Sequence, residues 1–311
     1  MIRSILPLVF AGCLLGSWSD GRAPLPVSRH PFIVIAHRGS HTHVPENTLA
    51  AVSAAIRCGV DYVEIDLRTT KDGYLVLSHD RSVDRMTGGK GNIADLTLAE
   101  IEKLEVRSAG GLEVRSAGQQ AQGKYRIPEF RDVLRLCRHK INIYLDFKEA
   151  DVRQTWRQIR EAGMEKQVVV YLNKPGQYDG WRAVAPRVPL MTSLPDDVRT
   201  PEAAALFLRE KKIAVLDNVY DTAMLRTVRQ QGVAVWLDVQ SDKEGPGSWE
   251  EMLGKDIQGL QTDHPEALVD YLARRKGMYF SLGILAQTTP DFVANPQLPV
   301  KRLLLPLSKE P

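Results

Sequence analysis

In this sequence carboxylates stand where a buried strand should be apolar. In Tyr62-Val63-Glu64-Ile65-Asp66-Leu67, Val63, Ile65 and Leu67 share one face of an extended chain, and Glu64 and Asp66 share the other. If the apolar face packs on helices, both acids point inward. The pattern recurs in Tyr144-Leu145-Asp146-Phe147-Lys148, which puts Asp146 and Lys148 on one face. Unpaired buried carboxylates are costly, so the set needs a cation or protonation. Three carboxylates without Cys or His ligand spacing suit a hard, oxygen-seeking divalent ion, Ca²⁺ or Mg²⁺. A metal-free, salt-bridged cluster of Glu64, Asp66, Asp146 and Lys148 fits the same residues equally well.

Histidines favour the ion. His37-Arg38-Gly39 follows one β-rich run and His79-Asp80 another. Each histidine is a candidate for proton transfer, and Arg38 beside His37 is a candidate anion ligand. General acid, general base, cation site and anion clamps are the parts needed to move a phosphoryl group between oxygens. Other polar residues take ordinary roles. Asn47 is expected to cap a helix beginning at Thr48, and Asp263 or His264 to precede a helix opening on Pro265. His41 and His43 are expected to be solvent-exposed in a loop, and His30 and His139 carry no functional role.

The elements that must position these groups read as a parallel α/β fold. Strands are expected at 32–36, 62–68, 74–78, 141–147, 167–172, 189–193, 213–217, 233–238 and 257–261. Helices are expected at 48–57, 130–137, 152–162, 201–211, 222–230 and 265–275. A TIM (β/α)8 barrel needs one strand fewer. Thr69-Thr70-Lys71-Asp72-Gly73 is too short for a crossover helix, and Asp-Gly favours a tight turn, so strands two and three are expected to form a hairpin. Active sites of such barrels lie at the C-terminal ends of the strands, where these candidate residues fall.

The motifs and their order resemble the glycerophosphodiester phosphodiesterase family. His37-Arg38-Gly39 is followed after five residues by Pro45-Glu46-Asn47-Thr48. Glu64-x-Asp66, Thr70-Lys71-Asp72-Gly73, His79-Asp80, Arg85-x-Thr87-x-Gly89, Ile127-Pro128, Asp146-x-Lys148 and Thr262-Asp263-His264-Pro265 then follow in the family's order. The resemblance implies hydrolysis of a small-molecule glycerophosphodiester to glycerol phosphate and an alcohol. It implies His37 and His79 as the acid–base pair, and Glu64, Asp66 and Asp146 as ligands of a divalent ion, with Glu46 joining or supporting them. Arg38 and Lys148 would contact the phosphate, and Trp236 would wall the substrate pocket. Three departures bear on substrate choice. Asp146 stands where the family usually has Glu, Trp236-Leu237-Asp238-Val239 replaces Trp-Thr-Val-Asn, and Pro128-Glu129 replaces Pro-Thr. The rival activities are a phospholipase D-like reaction on lysolipids or sphingolipids, and ligand binding by a catalytically inactive, lipid-anchored barrel.

The whole chain has 311 residues, 43% hydrophobic and 25% charged, with a net charge of +3, enough apolar material for a core and too little positive charge to argue for nucleic acid. Three domains are expected: residues 1–23 as a targeting segment, 31–275 as the barrel and 276–311 as an extension without an assigned role. Arg3 followed by a short apolar run has the form of a bacterial signal peptide. Phe10-Ala11-Gly12-Cys13 resembles a lipobox, with Phe10 where Leu is usual, so export is expected with a lipid anchor at Cys13 and membrane association through it. Plain secretion with cleavage near Ala23 is the alternative. Cys58 and Cys137 are expected to be buried, inert thiols. Residues 105–110 and 113–118 are both EVRSAG, either a loop over the barrel mouth offering Arg107 and Arg115 to anions or a tandem duplication in tolerated slack.

Overall fold

The computed structural model describes residues 21–107 and 125–275. The leader with Cys13, most of the EVRSAG repeat and the extension from residue 276 lie outside the described residues.

Nine strands form, one at each expected place: β1 Ile33–Ala36, β2 Tyr62–Thr69, β3 Leu75–Leu77, β4 Asn142–Glu149, β5 Val168–Leu172, β6 Leu190–Thr192, β7 Val215–Leu216, β8 Ala234–Asp238 and β9 Gly259–Thr262. Eight of them run parallel in the order β1-β2-β4-β5-β6-β7-β8-β9, and β9 pairs back onto β1 to close a TIM barrel. β3 is the departure. It pairs antiparallel with the end of β2, Leu67 opposite Leu77 and Thr69 opposite Leu75. The turn between them is set by Gly73 at φ 85° and by the Thr70 backbone N–H donating to the Tyr74 carbonyl. The chain thus climbs above the rim and returns, so β3 ends with the Ser78 N–H bonded to the Asp66 carbonyl. This descent delivers His79 to the barrel mouth.

Helices α1 Leu49–Cys58, α2 Leu98–Ile101, α3 Phe130–Cys137, α4 Val152–Glu161, α5 Pro175–Val184, α6 Pro201–Lys211, α7 Thr222–Gln230, α8 Pro246–Leu253 and α9 Pro265–Arg274, with a 3-10 turn at Ile93–Asp95, complete the described elements. Side-chain alternation divides the core of the barrel in two, and a third, smaller cluster of Val76, Val83, Ile93, Ile101, Val106 and Ile127 lies beside β3. Val63, Ile65, Leu67, Ile143, Leu145 and Phe147 face outward into the layer between strands and helices. Ile33, Ile35, Tyr62, Tyr144, Val169, Met191, Val215 and Trp236 fill the interior. Gly259 stands opposite Trp236, and a Cβ there would lie 3.0 Å from both the indole and Ile33. The glycine is what lets a tryptophan enter the barrel. Beneath this floor, the segment leading to β1 crosses the N-terminal end of the barrel. There Asn142 and Tyr62 donate to the Val27 and Pro26 carbonyls, and the Asp61 carboxylate accepts from the Arg29, His30 and Val34 N–H groups.

Candidate active site

One alternation step above the floor, apolar side chains give way to polar ones. Two residues beyond Ile35 comes His37; beyond Tyr62, Glu64; beyond Tyr144, Asp146; beyond Val169, Tyr171; beyond Val215, Asp217; beyond Trp236, Asp238. The strand period therefore places a ring of polar groups at the C-terminal mouth.

Glu64, Asp66 and Asp146 each offer an oxygen, and these oxygens lie within 4.8 Å of one another. Glu64 and Asp66 are 2% and 1% exposed. Burial, then the charges of Asp66 and Asp146, push the Glu64 carboxyl well above its ordinary range, and burial with Asp66 raises Asp146. Lys148 pairs with Asp146 and lies 3.3 Å from Asp66. Burial would lower its ammonium, but the two aspartates outweigh that and raise it. Lys148, with an Arg38 guanidinium 3.7 Å from Asp66 that is shared with Glu46, leaves the three acids short of positive charge, and an all-oxygen donor set fits a hard divalent ion.

Both histidines are held from behind by aspartates. His37 Nδ1 is 2.7 Å from Asp263 Oδ1, and His79 Nδ1 is 2.8 Å from Asp80 Oδ1. A carboxylate accepting from Nδ1–H leaves Nε2 as the free nitrogen. Asp80 is itself fixed by Arg85 at 2.6 Å, and that bond with the histidine's draws its carboxyl down to about 2. Burial opposes ionisation of Asp263, but the bonds from His37 and His41 outweigh it and depress the group.

The loop after β1 is strained in a way that serves the site. Arg38 has φ 51°, Gly39 φ 85° and Asn47 φ 53°. A Cβ on Gly39 would lie 2.7 Å from the Ala51 backbone, so only glycine lets the loop rest on α1. This conformation turns the Arg38 N–H onto Glu64 Oε2 at 2.7 Å, and its guanidinium toward Glu46 at 2.9 Å.

Several expectations are corrected. Asn47 does not cap α1; Thr48 does, accepting from the Ala51 N–H. Asn47 instead donates to Asp66 Oδ2 at 2.7 Å and accepts from the Asp66 N–H at 3.2 Å, fixing a carboxylate of the cluster. Asp263 is not merely a helix lead-in, since it holds His37. His41 is not free in solvent, since its Nε2 lies 3.1 Å from Asp263. Of the two places expected for Glu46, the structure gives the second: it lies outside the three clustered carboxylates and beside them, its oxygens taken by Arg38, whose backbone N–H donates to Glu64, and by Arg85. Trp236 does not line the mouth. It is 1% exposed in the floor, its ring 4.9 Å from Tyr62. Asn173, just past β5, donates to Asp146 at 2.5 Å and had no sequence signal beyond its position after a strand.

A TIM barrel whose mouth joins an acidic cluster, two aspartate-backed histidines and an arginine–lysine pair belongs to the class equipped for phosphoryl chemistry. The comparisons agree. The model of the glycerophosphoryl diester phosphodiesterase family matches residues 37–267. A glycerophosphodiester phosphodiesterase of Caldanaerobacter subterraneus is 29% identical over 252 residues, 79% of this chain and 98% of that one. Among solved structures, a glycerophosphodiester phosphodiesterase from Agrobacterium tumefaciens superposes with a TM-score of 0.65 at 22% identity, covering 76% of this chain and 99% of that one. A phosphodiesterase of Oleispira antarctica, in complex with its product sn-glycerol-3-phosphate, gives 0.65 at 22% identity over 77% of this chain and 96% of its own. This chain belongs to the glycerophosphodiester phosphodiesterase family of enzymes.

Proposed function

We propose that the chain hydrolyses glycerophosphodiesters to glycerol phosphate and a free alcohol, using a divalent ion held by Glu64, Asp66 and Asp146 and proton transfer by His37 and His79. The observation that carries this is the meeting, at one barrel mouth, of a carboxylate cluster short of positive charge with two histidines each oriented through Nδ1. When bound, Ca²⁺ or Mg²⁺ would offset the carboxylates and polarise a phosphate oxygen. His37, backed by Asp263, takes a proton from the attacking water as its oxygen forms the new bond to phosphorus. His79 gives a proton to the alcohol oxygen as the old P–O bond breaks. Arg38 and Lys148 face the charge that gathers on the phosphoryl oxygens. Asn47 and Asn173 hold Asp66 and Asp146 in place. The product bound by the Oleispira relative, sn-glycerol-3-phosphate, is the one this reaction leaves.

Phosphorus NMR of glycerophosphocholine incubated with purified protein tests the bond broken. Glycerol phosphate and choline are expected. Phosphocholine and glycerol would place the cleavage on the other side of phosphorus and overturn the proposal.

A further inference from the structure

The metal-side residues come from β2, β4 and the loops after β1 and β3. The arc of the mouth from β5 to β9 carries a second polar group. Asp217 follows β7, Asp238 ends β8, Gln261 lies on β9, Ser193 follows β6 and Tyr171 is on β5. Asp217 is 2% exposed and accepts from Ser193 at 2.6 Å and from Asn218 at 3.1 Å; Tyr171 lies 2.9 Å from Ser193. Asp238 Oδ1 accepts from Gln261 at 3.0 Å.

Two features separate this group from an ordinary buried network. Asp66 and Asp146 are paired with cations, yet among the described residues no lysine, arginine or histidine forms an ion pair with Asp217 or Asp238. The second is Gln261. It is 5% exposed and spends its Nε2 on Asp238, leaving Oε1 buried without a hydrogen-bond partner. Among the described residues the two carboxylates therefore have no cationic partner, and one buried acceptor beside them has no donor. Leaving such groups unpaired is costly, so the missing component is a donor that carries positive charge.

We infer that this half of the mouth binds a primary ammonium on the leaving alcohol of the substrate, so that the preferred glycerophosphodiester has an aminoalcohol head group. A primary ammonium brings three N–H donors. They can satisfy Asp217, Asp238 and the free Gln261 oxygen, which a trimethylammonium cannot. The ring of Tyr171, beside Ser193 within the group, offers an aromatic surface to the same cation. Burial, followed for Asp238 by the charge of Asp217, raises the two carboxyls to about 6 and about 7, as expected of acids lacking a counterion. Asp146 adds to both shifts, so the metal-side carboxylates and this group act on a shared space.

The inference rests on the proposed hydrolysis, and the test separates the two. Initial rates are measured for glycerophosphoethanolamine, glycerophosphocholine and glycerophosphoglycerol with wild type, Asp238→Asn and Asp217→Asn, each checked for folding by circular dichroism. Wild type should favour the ethanolamine ester over the glycerol ester about tenfold or more in kcat/KM, as a charged hydrogen-bonded contact allows, with the choline ester between them. Either asparagine variant should lower that ratio at least about threefold, the loss falling mainly on the ethanolamine ester. Equal rates on all three esters, or a preference that both folded variants retain, would overturn the inference and leave the proposed hydrolysis standing. Hydrolysis of none of them by folded, metal-supplied wild type would overturn the proposed function and the inference with it.

Discussion

His37 and His79 owe their orientation to a carboxylate apiece, which makes the acid–base roles separable from folding. His37→Ala and His79→Ala should each lower turnover by at least the roughly 10²-fold lost with general acid–base catalysis, with melting little changed. Near-wild-type turnover in either would remove that residue from its role. Asp217 and Asp238 make a different statement, about stability. Their carboxyls are raised in the folded chain to about 6 and about 7, so the folded state holds protons that the unfolded state gives up near pH 4. Stability present below the unfolded value is therefore lost as pH rises through those two values. Asp238→Asn should melt a few degrees above wild type near pH 8, with the gap closing toward about pH 4. A gap independent of pH would contradict the burial argument. Much of the residue scale was legible in the sequence, because charge at inward strand positions has few physical explanations. Asn47 and Asp263 were not. Asn before a helix and Asp before a Pro-led helix have ordinary local uses, and only the tertiary fold brings them to Asp66 and His37.

At the scale of elements, the loop from His37 to Thr48 determines whether the site assembles. Gly39 has no room for a Cβ and holds a left-handed backbone, so Gly39→Ala must displace the loop or α1. Such strain costs about 1–3 kcal/mol, enough to lower Tm by several degrees. Because the Arg38 N–H would leave Glu64, metal affinity should fall as well; calorimetric titration showing wild-type affinity would contradict the coupling. All nine strands were legible from β-rich runs, and the Asp-Gly turn announced the hairpin. Helices α5 and α8, and the single-turn α2, were not read. Pro175-Gly176 with Gly180, and Pro246-Gly247, look like loop composition. The prolines in fact sit at the first turn, where a missing N–H costs nothing. The interior position of Trp236 was also hidden, because it depends on Gly259 across the β8–β9 register.

For the whole molecule, the barrel is closed below by the segment before β1, and among the described residues no helix is long and apolar enough to cross a membrane. Attachment through Cys13 remains our proposal from the lipobox-like leader. Fatty-acid labelling in a bacterial host should mark wild type and miss Cys13→Ser; equal labelling of both would exclude that cysteine as the anchor. The central claim is that three carboxylates at the mouth hold a divalent ion on which turnover depends. Chelation of purified protein, followed by assay on glycerophosphodiester and elemental analysis of the same sample, tests it most directly. Stripped protein should lose activity and melt at a lower temperature, since an ion bound only by the folded state stabilises it. Ca²⁺ or Mg²⁺ should restore both, weakly in Asp66→Asn and fully in Asp146→Glu. Full turnover by protein shown to contain no divalent metal would contradict the account and leave Glu64, Asp66, Asp146 and Lys148 as a salt-bridge network.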